Sequence, residues 1–307
     1  MPPSPTPARI VVSGAGGVGG LLGARLARAG ARVGFVVRSE RVAALRESGL
    51  CVTTLSDTWT LDRPEVTADA SELGRADVLF LATKAQDLAA SAAACRPVVG
   101  EGTLVVTLQN GVDAEEIARR GLPGASVLPG VVYVAAVRAA PGEVRQTSDF
   151  FKIVFGATQG ATPAGAKRIV DACLTAGVEA TLADDMPVRL WTKFLFIASV
   201  AAVTASRNLR IGALRADAAA MAELRAAMRE GEAVARASGI PLAADVIDRS
   251  LAFFASLPPD VTSSMHEDLL AGRPLELEFL SGALVRRARE RGVATPVHQA
   301  ACEKLRR

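Results

Sequence analysis

The chain has 307 residues, half of them apolar and 22% charged, with a net charge of +3. This suits a folded chain of one or two domains with a sizeable core, and with no run of five like charges it argues against a nucleic-acid tract. Four cysteines without a CxxC pair and only two histidines, His266 and His298, argue against a zinc site or a Ser-His-Asp triad and suit reduced thiols in a cytoplasmic protein.

The start, MPPSPTPAR, is proline-rich and has no apolar core, so it reads as a short unstructured lead-in and not as a signal peptide. Ile10-Val11-Val12-Ser13 is a short apolar strand, followed by Gly14-Ala15-Gly16-Gly17-Val18-Gly19 and an amphipathic helix over Val18–Ala29. This is G-x-G-x-x-G between a strand and a helix, the dinucleotide-binding pattern. Gly14 permits the tight turn, Gly16 lets a pyrophosphate approach the backbone, and Gly19 allows close helix–strand packing. The helix N-terminus adds unpaired amides and partial positive charge.

The second strand, within Arg32–Val37, ends at Arg38, where an NAD site would carry Asp or Glu for the ribose 2′-hydroxyl. Arginine there suits a 2′-phosphate, which favours NADP(H) over NAD(H), and Arg41 is placed to assist. Further strands are expected at Cys51–Thr54, Val78–Ala82, Leu104–Thr107 and Ser126–Val137, with a helix over Ala85–Val98. Strand and helix alternating at this spacing imply a parallel sheet with crossover helices. Residues 131–155 carry β segments broken at Pro141-Gly142 with no helix between, and read as an antiparallel or mixed extension of that sheet.

Beyond Asp184 the β signal disappears. Residues 187–305 read as helical almost throughout, with turns at Gly212, Gly239-Ile240-Pro241, Pro258-Pro259, Gly272-Arg273-Pro274 and Gly292. The longest apolar run, Phe194–Val203, is well short of the ~18 residues of a membrane helix. The expected fold is thus an α/β Rossmann-type N-terminal domain, a parallel sheet with a mixed extension over residues 8–183, followed by an all-α domain over 184–307 that carries substrate and catalysis.

With these elements placed, the whole chain resembles the ketopantoate reductase (2-dehydropantoate 2-reductase) family. Beyond the generic glycine turn and Arg38, the resemblance rests on Leu81-Ala82-Thr83-Lys84-Ala85, Leu108-Gln109-Asn110-Gly111, Leu190-Trp191-Thr192-Lys193-Phe194, Ser263-Ser264-Met265 and Glu276. It implies Lys193 and Glu276 as catalytic residues and Asn110 and Ser264 at the substrate. The cofactor would be held by Gly14, Ala15, Gly16, Gly17, Val18, Gly19, Arg38, Lys84 and Asn110. The residues alone allow plainer roles. Lys193 beside the apolar face Leu190, Phe194, Ile197, Ala201 can snorkel. Glu276 can serve the first turn of a helix begun at Pro274. Ser264 can cap a helix, and Asn110-Gly111 can be a turn.

The resemblance fails at three positions where the family typically has asparagine: here they are Ile197, Ala201 and Val261. Loss of buried hydrogen-bond partners can change discrimination by ~10⁴-fold. The resemblance therefore implies NADPH-dependent reduction of a 2-oxo acid or related carbonyl more firmly than of ketopantoate itself. The alternatives are a reductase of another carbonyl or an imine, and a non-catalytic NADPH-binding paralogue. A cleft between the domains, no metal, no nucleic-acid or membrane partner, and a possible homodimer complete the expectation.

Overall fold

The computed structural model describes residues 8–306, so the proline-rich residues 1–7 expected as a lead-in lie outside the described residues. By backbone contacts the chain forms two compact units. The first comprises residues up to Gln109 together with Ala114–Met186; the second comprises Asn110–Asp113 together with Pro187 onward. This division lies at 186/187, near the expected 183/184, and it groups Asn110–Asp113 with the second unit.

In the first unit, β1 (Arg9–Ser13), α1 (Gly17–Arg28), β2 (Arg32–Val36), α2 (Ser39–Ser48), β3 (Leu50–Thr53), β4 (Thr58–Leu61) and β5 (Glu65–Thr67) are followed by β6 (Val78–Leu81), α3 (Leu88–Ala94), β7 (Leu104–Thr107) and α4 (Ala114–Gly121). Then come β8 (Ser126–Tyr133), β9 (Ala136–Ala140), β10 (Glu143–Gln146), β11 (Lys152–Phe155), α5 (Lys167–Thr175) and β12 (Glu179–Leu182). One sheet has eight strands in the order β12-β11-β8-β7-β6-β1-β2-β5. It is parallel from β8 to β5, and β11 turns antiparallel to β8.

Its central strands are apolar on both faces because both faces are covered. Ile10, Val12, Val78 and Phe80 enter one core, and the alternating Val11, Leu79 and Leu81 enter the other. Pleating sends successive side chains to opposite faces, so a continuous apolar run serves two layers.

Two sequence expectations are corrected here. The strand at residues 51–54 leaves the main sheet, and the single strand expected over 126–137 is two strands in different sheets. β3, β4, β9 and β10 form a separate four-stranded sheet in the order β4-β3-β10-β9. Its defining contact is β3 with β10 in parallel, Cys51 opposite Glu143. That pairing joins segments some ninety residues apart, and no local pattern encodes it.

The second unit carries α6 (Met186–Arg207), α7 (Ile211–Ala216), α8 (Ala218–Ala237), α9 (Val246–Ser256), α10 (Ser264–Leu270), α11 (Ser281–Arg291) and α12 (Pro296–Leu305) around one core. By length and composition α6 is apolar enough to cross a membrane, but it is the unit's mostly buried core helix, contributing Trp191, Phe194, Leu195, Ala198 and Val203. Gly212, expected at a turn, lies inside α7. A Cβ there would stand 2.7 Å from Pro259 Cβ, so the glycine serves close packing. Glu276 was expected in a helix starting at Pro274. It instead precedes a 3₁₀ turn, Leu277–Phe279, and the α-helix begins only at Ser281 because Leu280 leaves helical geometry (φ −107°, ψ −98°).

Candidate active site

The cofactor candidates gather at the carboxyl ends of four adjacent strands, β2, β1, β6 and β7, where open α/β sheets bind ligands. Gly14 follows β1 at φ +97°, a left-handed conformation that side chains resist, and a Cβ there would press on Ala82 and Thr83 at 3.0 Å. A Cβ on Gly19 would lie 2.0 Å from the Gly14 oxygen, so helix and turn require glycine there. Gly16, the N-cap of α1, has open space where a Cβ would be. Ala15 is buried, and Gly17 and Val18 begin α1, whose first-turn amides lack intrahelical partners. No acidic side chain stands in that first turn to compete for them.

Three arginines surround this turn. Arg41 donates from Nη2 to the Ala15 oxygen at 2.9 Å. Burial, and then the charges of Arg138 and Arg38, hold its pKa below the usual arginine value. Arg38 stands just past β2 and pairs at 2.8 Å with Asp87, an exposed contact that contributes little. Arg138 was not singled out from the sequence. It reaches the group because β9 runs against α1, close enough that a Cβ on Gly17 would meet the Ala136 oxygen at 2.4 Å. Lys84 is exposed three residues past β6, at the N-cap of a 3₁₀ turn.

Two buried polar atoms at this edge, Thr83 Oγ1 and Gln109 Oε1, have no hydrogen-bond partner among the described residues. Gln109 Nε2 meanwhile donates to the Leu81 and Thr83 oxygens at 3.0 Å, which fixes its side chain. Buried groups left unsatisfied cost about 1–3 kcal/mol each. Together with the open space at Gly16 and three guanidiniums, they fit a bound dinucleotide.

In the second unit the catalytic candidates come together. Lys193 lies on α6, and its Nζ donates to Asn110 Oδ1 at 2.9 Å. Asn110 is brought there by the Asn110–Asp113 excursion, three residues past β7. Burial lowers the Lys193 pKa from 10.5 to about 8, and the negative charge of Glu276 opposes that shift. Glu276 itself is buried, 7% exposed, and fixed by the 3₁₀ turn that follows it.

Ser264 is exposed at the first position of α10. The cap is its neighbour Ser263, which accepts from His266 N and shares a 2.7 Å hydrogen bond with Thr204 of α6. Ile197, Ala201 and Thr204 repeat at helical spacing from Lys193, so the lysine's face of α6 runs along an apolar strip towards Ser263. Val261 is 41% exposed near the end of that strip.

A cavity of about 410 Å³ lined by Arg25, Arg28, Trp59 and Gly177 lies elsewhere, where α1 and α5 end. Its arginines are engaged, Arg25 with the Gly177 oxygen and Arg28 with Asp57.

Residues 10–160 match the family described as ketopantoate reductase PanE/ApbA, and residues 185–307 match its C-terminal part. The chain belongs to the ketopantoate reductase family. It is 32% identical to a 2-dehydropantoate 2-reductase of Halobacterium salinarum, covering 97% of this chain and 98% of that one. A solved PanE/ApbA family ketopantoate reductase from Ralstonia eutropha JMP134 is 30% identical, with a TM-score of 0.88 over 97% of both chains. A solved D-mandelate dehydrogenase with NADH and anilino(oxo)acetate, at 22% identity and TM-score 0.89 over 97% of both chains, shares the fold. As a member of the ketopantoate reductase family the chain is an oxidoreductase acting on CH–OH groups, with a nicotinamide cofactor.

Proposed function

We propose that the chain reduces a 2-oxo acid to the 2-hydroxy acid with NADPH in the cytoplasm, as 2-dehydropantoate 2-reductase does in turning ketopantoate to pantoate for pantothenate biosynthesis. The observation that carries this is the Lys193–Asn110 hydrogen bond on a lysine whose pKa burial brings down to about 8 against the opposing charge of Glu276. Such an ammonium is mostly protonated near neutrality yet donates more readily than a solvated lysine.

Lys193 donates a hydrogen bond and then a proton to the substrate carbonyl oxygen as negative charge develops on it. Asn110 aims the ammonium through Oδ1. Glu276 keeps the lysine charged and orients the substrate, and Ser264 offers its exposed hydroxyl to the carboxylate. The first-turn amides of α1 and the glycines from Gly14 to Gly19 bind the pyrophosphate. Arg38 binds the 2′-phosphate, flanked by Arg41 and Arg138, and Lys84 supports the ligand at the end of β6. When bound, NADPH supplies the hydride. D-mandelate dehydrogenase carries NADH on this fold, so the preference for NADPH rests on Arg38 standing where an acidic residue would bind a 2′-hydroxyl.

The strip of Ile197 and Ala201 favours a second reading within the same chemistry, a 2-oxo acid with an apolar side chain in place of ketopantoate. The proton-donor assignment is tested by Lys193→Met. Its kcat should fall by about 10²–10⁴-fold while the Kd for NADPH is unchanged; a kcat near that of the wild type contradicts it.

A further inference from the structure

The tetrapeptide Asn110–Asp113 belongs by its contacts to the helical unit, although the chain around it belongs to the sheet. What holds it there is visible residue by residue. Asp113 Oδ1 accepts from Arg287 Nε at 3.1 Å and from Arg287 Nη2 at 2.6 Å, and Asp113 Oδ2 accepts from Arg286 Nη2 at 3.1 Å. The Asp113 side chain is only 19% exposed, and Val112 packs against the helical core. Gly111, at φ +107°, comes so near Phe279 that a Cβ would stand 2.9 Å from the Phe279 oxygen, three residues beyond Glu276.

Arg287 also reaches the lysine's helix. Its guanidinium lies over the Trp191 ring at 6.0 Å, and Trp191 meets Phe194 edge to face at 5.5 Å, with Lys193 between them in sequence. One side chain of α11 therefore touches the segment that carries Asn110 and the turn of α6 that carries Lys193. Arg286, half exposed, pairs with Asp113 and Glu278 and makes no hydrogen bond, ion pair or ring contact with α6 among the described residues.

We propose that Arg287, through Asp113 and Trp191, is a positioning residue that sets the Lys193–Asn110 geometry. The proposal rests on the reading of Lys193 as proton donor. Its physical basis is that a catalytic group displaced by about 1 Å can lose 10²-fold in rate. Asp113 Oδ1 held by both Nε and Nη2 of Arg287 gives the segment a fixed direction that a single lysine contact cannot reproduce. Glu276 is a charged group that acts on the lysine, and Asp113, Arg286 and Arg287 are charged groups about the segment that carries its asparagine.

The test compares the full-length wild type with Arg287→Met, Arg287→Lys, Asp113→Asn and Arg286→Met. The readouts are kcat, the Kd for NADPH, and the pH at which kcat/KM falls on the alkaline side. For Arg287→Met and Asp113→Asn the expectation is a kcat lower by about 10–100-fold and an unchanged NADPH Kd. Their alkaline limb should move to higher pH as water reaches the lysine. The double variant should be no worse than the worse single one, Arg287→Lys should recover only part, and Arg286→Met should stay within about threefold. An Arg287→Met enzyme whose alkaline limb stays put overturns the proposal, whatever happens to its Tm. If Arg287→Met does not fold, Asp113→Asn is read in the same way. Failure of the underlying reading shows separately, as a Lys193→Met enzyme that keeps its turnover.

Discussion

Lys193 is a lysine whose surroundings change what it can do. Burial brings its pKa down to about 8, and Glu276 prevents it from falling further. For reduction the lysine must carry its proton, so kcat/KM should be level below that pKa and fall about tenfold per pH unit above it. In the oxidation direction the neutral amine is required, and the same limb should rise with pH. A profile with no limb between pH 7 and 9 in either direction would contradict the assignment. Arg38 makes the matching claim for the cofactor. Its exposed pairing with Asp87 costs little to share, and a charge-assisted contact with a phosphate contributes about 1.5–3 kcal/mol. Arg38→Ala should therefore raise the NADPH Kd about 10–100-fold and leave the NADH Kd nearly unchanged. Equal losses in two titrations followed by fluorescence would refute a 2′-phosphate role.

Among the elements, the glycine turn separates packing from ligand binding within one motif. A Cβ on Gly19 has no room against the Gly14 oxygen, whereas a Cβ on Gly16 would meet nothing in the described chain within 4 Å, at an ordinary φ of −82°. Gly19→Ala should cost about 1–3 kcal/mol through overpacking and lower the Tm. Gly16→Ala should keep the Tm and lose dinucleotide affinity. Calorimetry with and without NADPH checks both. The turn was legible in the sequence because strand, turn and helix follow one another within about twenty residues, where local propensity acts. So was α6, whose apolar periodicity places Leu190, Phe194, Ile197 and Ala201 on one face with Lys193 beside it. What the sequence did not reveal depends on distant pairing. β3 joins β10 across some ninety residues, which brings Arg138 to the glycine turn. Asn110–Asp113 joins helices that come much later in the chain. Glu276 is legible only through the family resemblance, and no α-helix runs on from Pro274 because Leu280 leaves helical geometry before Ser281.

At the scale of the molecule, the chain has two units of different architecture, and both match the ketopantoate reductase family. The first supplies an anion-binding edge at β2, β1, β6 and β7. On the proposed reading, the second supplies a proton donor with its orienting amide and carboxylate. Ile197 and Ala201 on the lysine's face of α6 are apolar, so on the proposed reading substrate choice is where the chain departs from the family pattern. The most direct test is NADPH oxidation by the full-length chain, followed at 340 nm, with ketopantoate beside 2-oxo acids of increasing apolar bulk. The account predicts oxidation that depends on a 2-oxo acid, forms the 2-hydroxy acid in equal amount, and is lost in Lys193→Met. NADPH binding without oxidation by any 2-oxo acid would contradict it.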